Sequence, residues 1–225
     1  ENVLKQFLDT EIGIARPEEV SYVIIEPVQG EGGYRFPNKT FIREVFKEAQ
    51  SRDIPVIADE IQSGMGRTGT WWACEQYGVK PDVLTSAKAL RVGATISRKE
   101  MFPKEKGRIS STWAEGNAIA SAVGYTTIEI IQKERLLRNA QRVGNYFLKR
   151  LRELRSRKIV DVRGIGLMDA IEFDTRKMRN AVVARSLKKG VLLAGVGYKS
   201  IRFLPPLNVT KREVDVCVDV LRKVI

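Results

Sequence analysis

Through its first two-thirds the chain alternates short β-branched runs with helical stripes, and this alternation limits the fold more than any other feature. Ser21–Glu26 is a β-branched run closed by Pro27, and Thr40–Ser51 carries Phe41, Ile42, Val45, Phe46 and Ala49 at helical spacing. Ile54–Ala58 and Pro81–Ser86 supply two more strands, and Gly93–Ser97 a fourth. Such alternation predicts an α/β fold with a mostly parallel sheet and helices on both faces. In sheets of this kind ligands sit beyond the carboxyl ends of the strands. The residues after each strand, Glu26, Asp59 and Lys88, therefore carry the most weight.

Beyond these strands the pattern changes. Asn117–Gln132 reads as an apolar helix and Leu136–Lys158 as an amphipathic, basic one. Ile159–Arg163 and Leu167–Phe173 read as strands flanking Gly164 and Gly166, and Met178–Lys189 as a helix stopped by Gly190. Val191–Ala194 and Ser200–Leu204 follow as strands, the second closed by Pro205 and Pro206. Thr210 is placed to cap a last helix, Lys211–Val224, with Glu213 at the capping-box position. The chain divides near residue 135, into a part of a larger domain (1–135) and a smaller α+β domain (136–225).

Composition narrows the chemistry. The 225 residues contain no histidine, which removes Ser–His–Asp and Cys–His catalysis and histidine metal sites together. Cys74 and Cys217 are the only cysteines and form no C-x-x-C motif, so no metal site is expected and a reducing, cytoplasmic setting is. No apolar run approaches the roughly 20 residues of a membrane span. No signal-peptide pattern opens the chain, and without an initiator Met, Glu1 is read as a cut end. The net charge of +12 is uneven: residues 1–135 carry 18 basic and 19 acidic side chains, residues 136–225 carry 21 and 8. The excess gathers at Lys149–Lys158. It is read as a solvated helix face, with a nucleic-acid-binding module as the reading from a different class. No aromatics interleave with these charges to stack bases, which argues against single-stranded nucleic acid.

Gly64-x-Gly66-x-x-Gly69 matches the dinucleotide fingerprint in letters only. Asp59 and Glu60 lie between the strand and the glycines, where they would repel a pyrophosphate, and Thr68–Trp72 is a weak helix former. Asp59 and Lys88 are more informative. Each ends a neighbouring strand, so they form either a plain ion pair or a cofactor site. In a cofactor site the carboxylate would bind a positively charged ring nitrogen and the lysine would act as a nucleophile.

Six blocks, in order, resemble the class III pyridoxal-phosphate-dependent aminotransferases. They are Glu26-Pro27-Val28-Gln29-Gly30-Glu31-Gly32-Gly33, Ile57-Ala58-Asp59-Glu60-Ile61-Gln62-Ser63-Gly64 with Met65–Gly69, Thr85-Ser86-Ala87-Lys88-Ala89-Leu90, Ser111-Thr112-Trp113 with Gly116-Asn117, Val162–Met168, and Ile201–Leu207. The resemblance covers the chain from about Val20 and implies a fold type I transferase with pyridoxal 5'-phosphate as cofactor. It gives Lys88 the part of the Schiff-base lysine and Asp59 that of the partner of the pyridinium nitrogen. Ile61 would pack on one ring face and Gln62 lie near the ring hydroxyl. Thr112 would reach the phosphate on the neighbouring subunit, which implies a homodimer. Arg202 resembles the arginine that binds the substrate carboxylate. Glu31 resembles the glutamate that pairs with that arginine when the substrate lacks this carboxylate.

The implied reaction is ping-pong transfer of an amino group, an ω-amino group of the 4-aminobutyrate kind, from a small-molecule donor to a 2-oxo acid. The alternatives are acetylornithine, ornithine or lysine transamination, and a racemase or epimerase of the same family. Family members are roughly twice this length, and the phosphate-binding turn belongs to their N-terminal half. After Leu90 the family shows glycines and a proline, where this chain runs straight on as Arg91-Val92-Gly93-Ala94. A degenerate relative and a piece of a longer polypeptide are the two explanations; the intact Lys88, Asp59 and Arg202 favour the second.

Overall fold

The computed structural model describes residues 3–105 and 117–225. These form two compact units. The first holds residues 3–27, 37–65 and 72–129, and the second holds 28–36, 66–71 and 130–225. Two short loops from the first half of the chain thus belong to the second unit, and the main division falls at 129/130 inside a helix.

In the first unit α1 (Val3–Phe7), β1 (Val23–Ile25), α2 (Lys39–Gln50), β2 (Val56–Asp59), α3 (Cys74–Tyr77), β3 (Val83–Ser86) and β4 (Ala94–Ser97) precede α4 (Ala118–Lys133), whose last turn passes into the second. The sheet order is β1-β2-β3-β4. β1, β2 and β3 are parallel, with Ile25 opposite Ala58 and Asp59 opposite Thr85; β4 closes the edge antiparallel, with Thr85 opposite Thr95. The strands are short because Pro27, Pro55 and Pro81 lie close to their ends and cannot donate to a ladder. Asn38 starts α2 by accepting the Thr40 amide at 2.8 Å. Ile42, Val45, Phe46 and Ala49 then form its buried stripe. Ile42, Phe46 and Ala49 join Leu8, Ile54, Val56, Ala58, Cys74 and Tyr77 in one core.

The second unit runs α5 (Leu136–Arg152), β5 (Ile159–Ile165), β6 (Met168–Phe173), α6 (Arg176–Lys188), β7 (Ala194–Val196), β8 (Ser200–Phe203) and α7 (Lys211–Val224). Its sheet is antiparallel throughout, in the order β5-β6-β8-β7. Gly166, at φ +60°, makes the two-residue turn that pairs Ile165 with Met168. α5 buries Leu136, Ala140, Val143, Gly144, Phe147 and Leu151. Phe147 meets Phe203 edge-on at 5.1 Å between ring centres. Thr210 and Glu213 cap α7 reciprocally, as the sequence predicts.

Two sequence expectations need correction. α5 ends at Arg152 rather than Lys158, because Leu154 turns into the core and the chain must reach β5 at Ile159. The strand expected at Val191–Ala194 pairs only from Ala194 to Val196. Val191 and Leu193 contribute to the core instead, and the ladder is set by the turn at Gly197, whose φ is +52°.

Candidate active site

The first unit brings Asp59 and Lys88 to the same end of its sheet. Asp59 is the last residue of β2, and Lys88 lies two residues beyond β3, the parallel neighbour of β2. Half-buried Asp59 is held by one oxygen: Oδ1 accepts the Ile61 amide at 3.0 Å and the Thr85 hydroxyl at 3.2 Å. Among the described residues Oδ2 accepts no hydrogen bond, so it is open to a donor from outside the chain. Lys88 is exposed and opens a short 3-10 turn, Lys88–Leu90, closed by Arg91 in the left-handed region at φ +66°. Half-buried Ile61 and Gln62 follow Asp59 directly. Glu26 is exposed at the end of β1. A carboxylate with one oxygen fixed and one open, and an amine at the next strand end, form a donor set suited to a cationic heteroaromatic ring that carries an aldehyde.

Glu60, next to Asp59, has a different task. It is buried; Oε2 accepts the Ser63 hydroxyl at 2.6 Å and Oε1 the Cys74 amide at 2.8 Å. Burial raises its pKa, against the pull of those hydrogen bonds. Glu60 thus ties the strand end to the start of α3. Gly64 is required by packing: a Cβ there would lie 2.7 Å from the Trp72 ring. No long helix follows these glycines, which disposes of the dinucleotide reading.

The second unit holds Arg202 and Glu31. Arg202 sits on β8 opposite Ala170 of β6, and its Nη1 donates to Glu31 Oε1 in a short ion pair. The Arg202 side chain is 17% exposed and that of Glu31 76%, so the guanidinium is enclosed while its partner faces outward. Glu31 lies in the loop 28–36, where Gln29 and Arg35 exchange backbone hydrogen bonds at 3.1 and 3.3 Å. The Gly197 amide donates to the Glu31 carbonyl at 3.0 Å. Tyr34, in the same loop, is fully buried, and its hydroxyl has no hydrogen-bond partner among the described residues. Burial pushes this phenol up to about 12, with Arg202 and Arg67 pulling it down. Arg67 donates from both Nη atoms to the Pro205 carbonyl at 2.6 and 2.7 Å and so fixes the chain just past β8.

Thr112 lies outside the described residues. Of the basic run, Arg150 is engaged by Asp215 and Glu153, and Lys158 by Asp174. Two residues that sequence reading passed over are Tyr34 and Arg163. Arg163 stands inside a quoted block, but its partners 129 and 130 positions away are invisible to spacing.

The profile of the aminotransferase class-III family matches residues 2–225, and the chain belongs to that family. The acetylornithine aminotransferase of Methanothermobacter thermautotrophicus is 39% identical over 215 residues, covering 92% of this chain and 54% of its own length. The 5-aminovalerate aminotransferase DavT of Pseudomonas aeruginosa is 37% identical over 218 residues, covering 89% and 51%. Among solved structures, an ornithine aminotransferase from Toxoplasma gondii, described with partial occupancy of pyridoxal phosphate at its active site, superposes with a TM-score of 0.84 at 31% identity. That match covers 90% of this chain and 50% of that one. The fold is the fold type I architecture of these enzymes, and the chain spans about half the length of the relatives it matches.

Proposed function

We propose that the full polypeptide transfers an ω-amino group from a small-molecule donor to a 2-oxo acid, with pyridoxal phosphate as cofactor. The observation that carries this reading is the pair at the sheet edge, Asp59 with an open Oδ2 and Lys88 beyond the neighbouring parallel strand. Membership of the family supports it, as does the cofactor named for the Toxoplasma structure. The names of the two enzyme relatives support a donor amine at the end of an aliphatic chain.

When bound, pyridoxal phosphate supplies a protonated ring that accepts the electron pair left behind as the substrate carbon loses a proton. Oδ2 of Asp59 would keep a proton on the ring nitrogen. The Thr85 hydroxyl and the Ile61 amide keep that carboxylate aimed through Oδ1. The Lys88 amine would hold the cofactor through its aldehyde and, once free, would serve as the base that moves a proton from the substrate carbon. Ile61 would cover one ring face and Gln62 would lie near the ring hydroxyl. Arg202 receives a substrate carboxylate, and Glu31 neutralises it when the substrate has none to offer, since a lone enclosed guanidinium is costly.

By this reading Thr112 would supply a phosphate contact across a homodimer. On the same reading residues 1–135 belong to the C-terminal portion of the large cofactor domain and 136–225 to the small domain, with 28–36, 66–71 and 130–135 grouped with the latter. The free thiols Cys74 and Cys217 fit a cytoplasmic setting. Among the described residues no helix is long and apolar enough to cross a membrane.

The test is a half-reaction. Holoenzyme given an ω-amino acid and no oxo acid should release one equivalent of carbonyl product per active site and then stop, resuming when 2-oxo acid is added. Continuous turnover without acceptor, or no carbonyl product from the ω-amino acid while an α-amino acid is returned with inverted configuration, would contradict the proposal.

A further inference from the structure

Arg163 projects from β5, and all five of its N–H donors are engaged. Nε donates to the Tyr34 carbonyl at 2.9 Å. One terminal nitrogen donates to the Gly33 carbonyl at 2.6 Å and to the Ser200 hydroxyl at 3.1 Å. The other donates to Asp161 at 2.6 Å and to Glu172 at 2.9 Å. Arg163 therefore joins the β5–β6–β8 sheet to two consecutive carbonyls that lie two and three residues past Glu31. On the other side, the Gly197 amide holds the carbonyl of Glu31 itself. Glu172 also pairs with Arg35 at 2.9 Å, at the end of the same loop.

We infer that Arg163 is a positioning residue that fixes the backbone of loop 28–36, so that Glu31 reaches and leaves Arg202 by side-chain rotation alone. This rests on the reading of Arg202 and Glu31 as the substrate-carboxylate pair. With its backbone clamped on both sides, Glu31 cannot withdraw by loop movement. With the pair formed, the Glu31 side chain is 76% exposed and that of Arg202 17%, so Glu31 reaches the enclosed guanidinium from the solvent side. Arg163 in this way sets how often Arg202 is covered. It thereby sets the balance between substrates with a carboxylate at that position and substrates without one. A lysine could not do this: an ammonium has no planar fork to span two carbonyls and two carboxylates at once.

The full holoenzyme with Arg163→Lys tests the inference by two readouts. The first is the rate of phenylglyoxal labelling at Arg202, followed by peptide mass mapping. The second is kcat/KM of the ω-amino half-reaction relative to that with an α-amino dicarboxylate. The expected result is labelling faster by roughly tenfold and a ratio shifted by about tenfold toward the dicarboxylate, the size of one lost charge-assisted contact. Unchanged labelling, with both half-reactions slowed equally, would overturn it and leave Arg163 a purely structural residue. Glu31→Gln separates the two levels of the argument. If it shifts both readouts and Arg163→Lys shifts neither, the positioning role is wrong and the pair stands. If it shifts neither, the reading of the pair is itself wrong.

A wild-type measurement covers the case in which Arg163→Lys does not fold. On addition of glutarate, hydrogen exchange at the Gly197 amide should keep its protection, because only the side chain of Glu31 moves. Loss of that protection would overturn the inference.

Discussion

Gly164 and Asp169 face each other across the β5–β6 ladder so closely that a Cβ on Gly164 would fall 1.9 Å from Oδ1 of Asp169. Asp169 is fully buried, and neither of its oxygens has a hydrogen-bond partner among the described residues. Burial pushes its pKa well above the usual carboxylate range, with Arg152 pulling weakly the other way. The folded chain thus holds this proton more tightly than the unfolded chain does. Its contribution is fully favourable below about pH 4, and stability falls as pH rises toward the elevated folded value. Asp169→Asn removes the titration. It should raise the thermal midpoint at pH 8 by several degrees, on the order of 2 kcal/mol, and change little at pH 4. An equal gain at both pH values would contradict this.

Gly144 of α5 meets the turn at Gly166 in the same manner. A Cβ at 144 would lie 1.8 Å from the Gly166 carbonyl oxygen, a backbone atom with no rotamer to yield. Gly144→Ala should cost about 3 kcal/mol, at the upper end of overpacking effects, read as a lower urea midpoint. Gly93→Ala, with nothing within 4 Å, is the control and should cost far less.

Glu60 and Asp59 are adjacent yet should fail differently. Glu60→Ala strips acceptors from the Ser63 hydroxyl and the Cys74 amide, leaving a buried amide unpaired, and should cost about 2–3 kcal/mol in urea unfolding.

Asp59→Asn keeps an acceptor for Thr85 and Ile61, so the fold should be unaffected. An amide cannot hold a proton on a ring nitrogen. The rate constant kcat should drop by at least roughly 10²–10³-fold, the scale of losing one preorganised electrostatic contact, while the thermal midpoint of the apoprotein stays put. Steady-state kinetics beside thermal unfolding would check it.

The sheet edge was legible because its strands are β-branched runs bracketed by proline, and because Asp59 ends one and Lys88 follows its neighbour by two residues. β6 was legible as a strand, but Asp169 in a wholly buried run gave no sign that Gly164 makes room for it. The segments 28–36 and 66–71 joined the second unit through Arg163 and Arg67, whose bonds span about 130 residues and leave no local pattern. The shift of β7 was equally hidden. Val191–Ala194 is apolar because Val191 and Leu193 face a core, and hydrophobicity alone does not distinguish a packed extended segment from a paired strand.

The most direct measurement is borohydride reduction of the full polypeptide incubated with pyridoxal phosphate, followed by peptide mass mapping. A single pyridoxyl group on Lys88, lost on prior treatment with an amino donor, is the predicted result. A full polypeptide that takes no label at Lys88, or takes it at surface lysines in proportion to their exposure, would contradict the assignment of this sheet edge as the cofactor site.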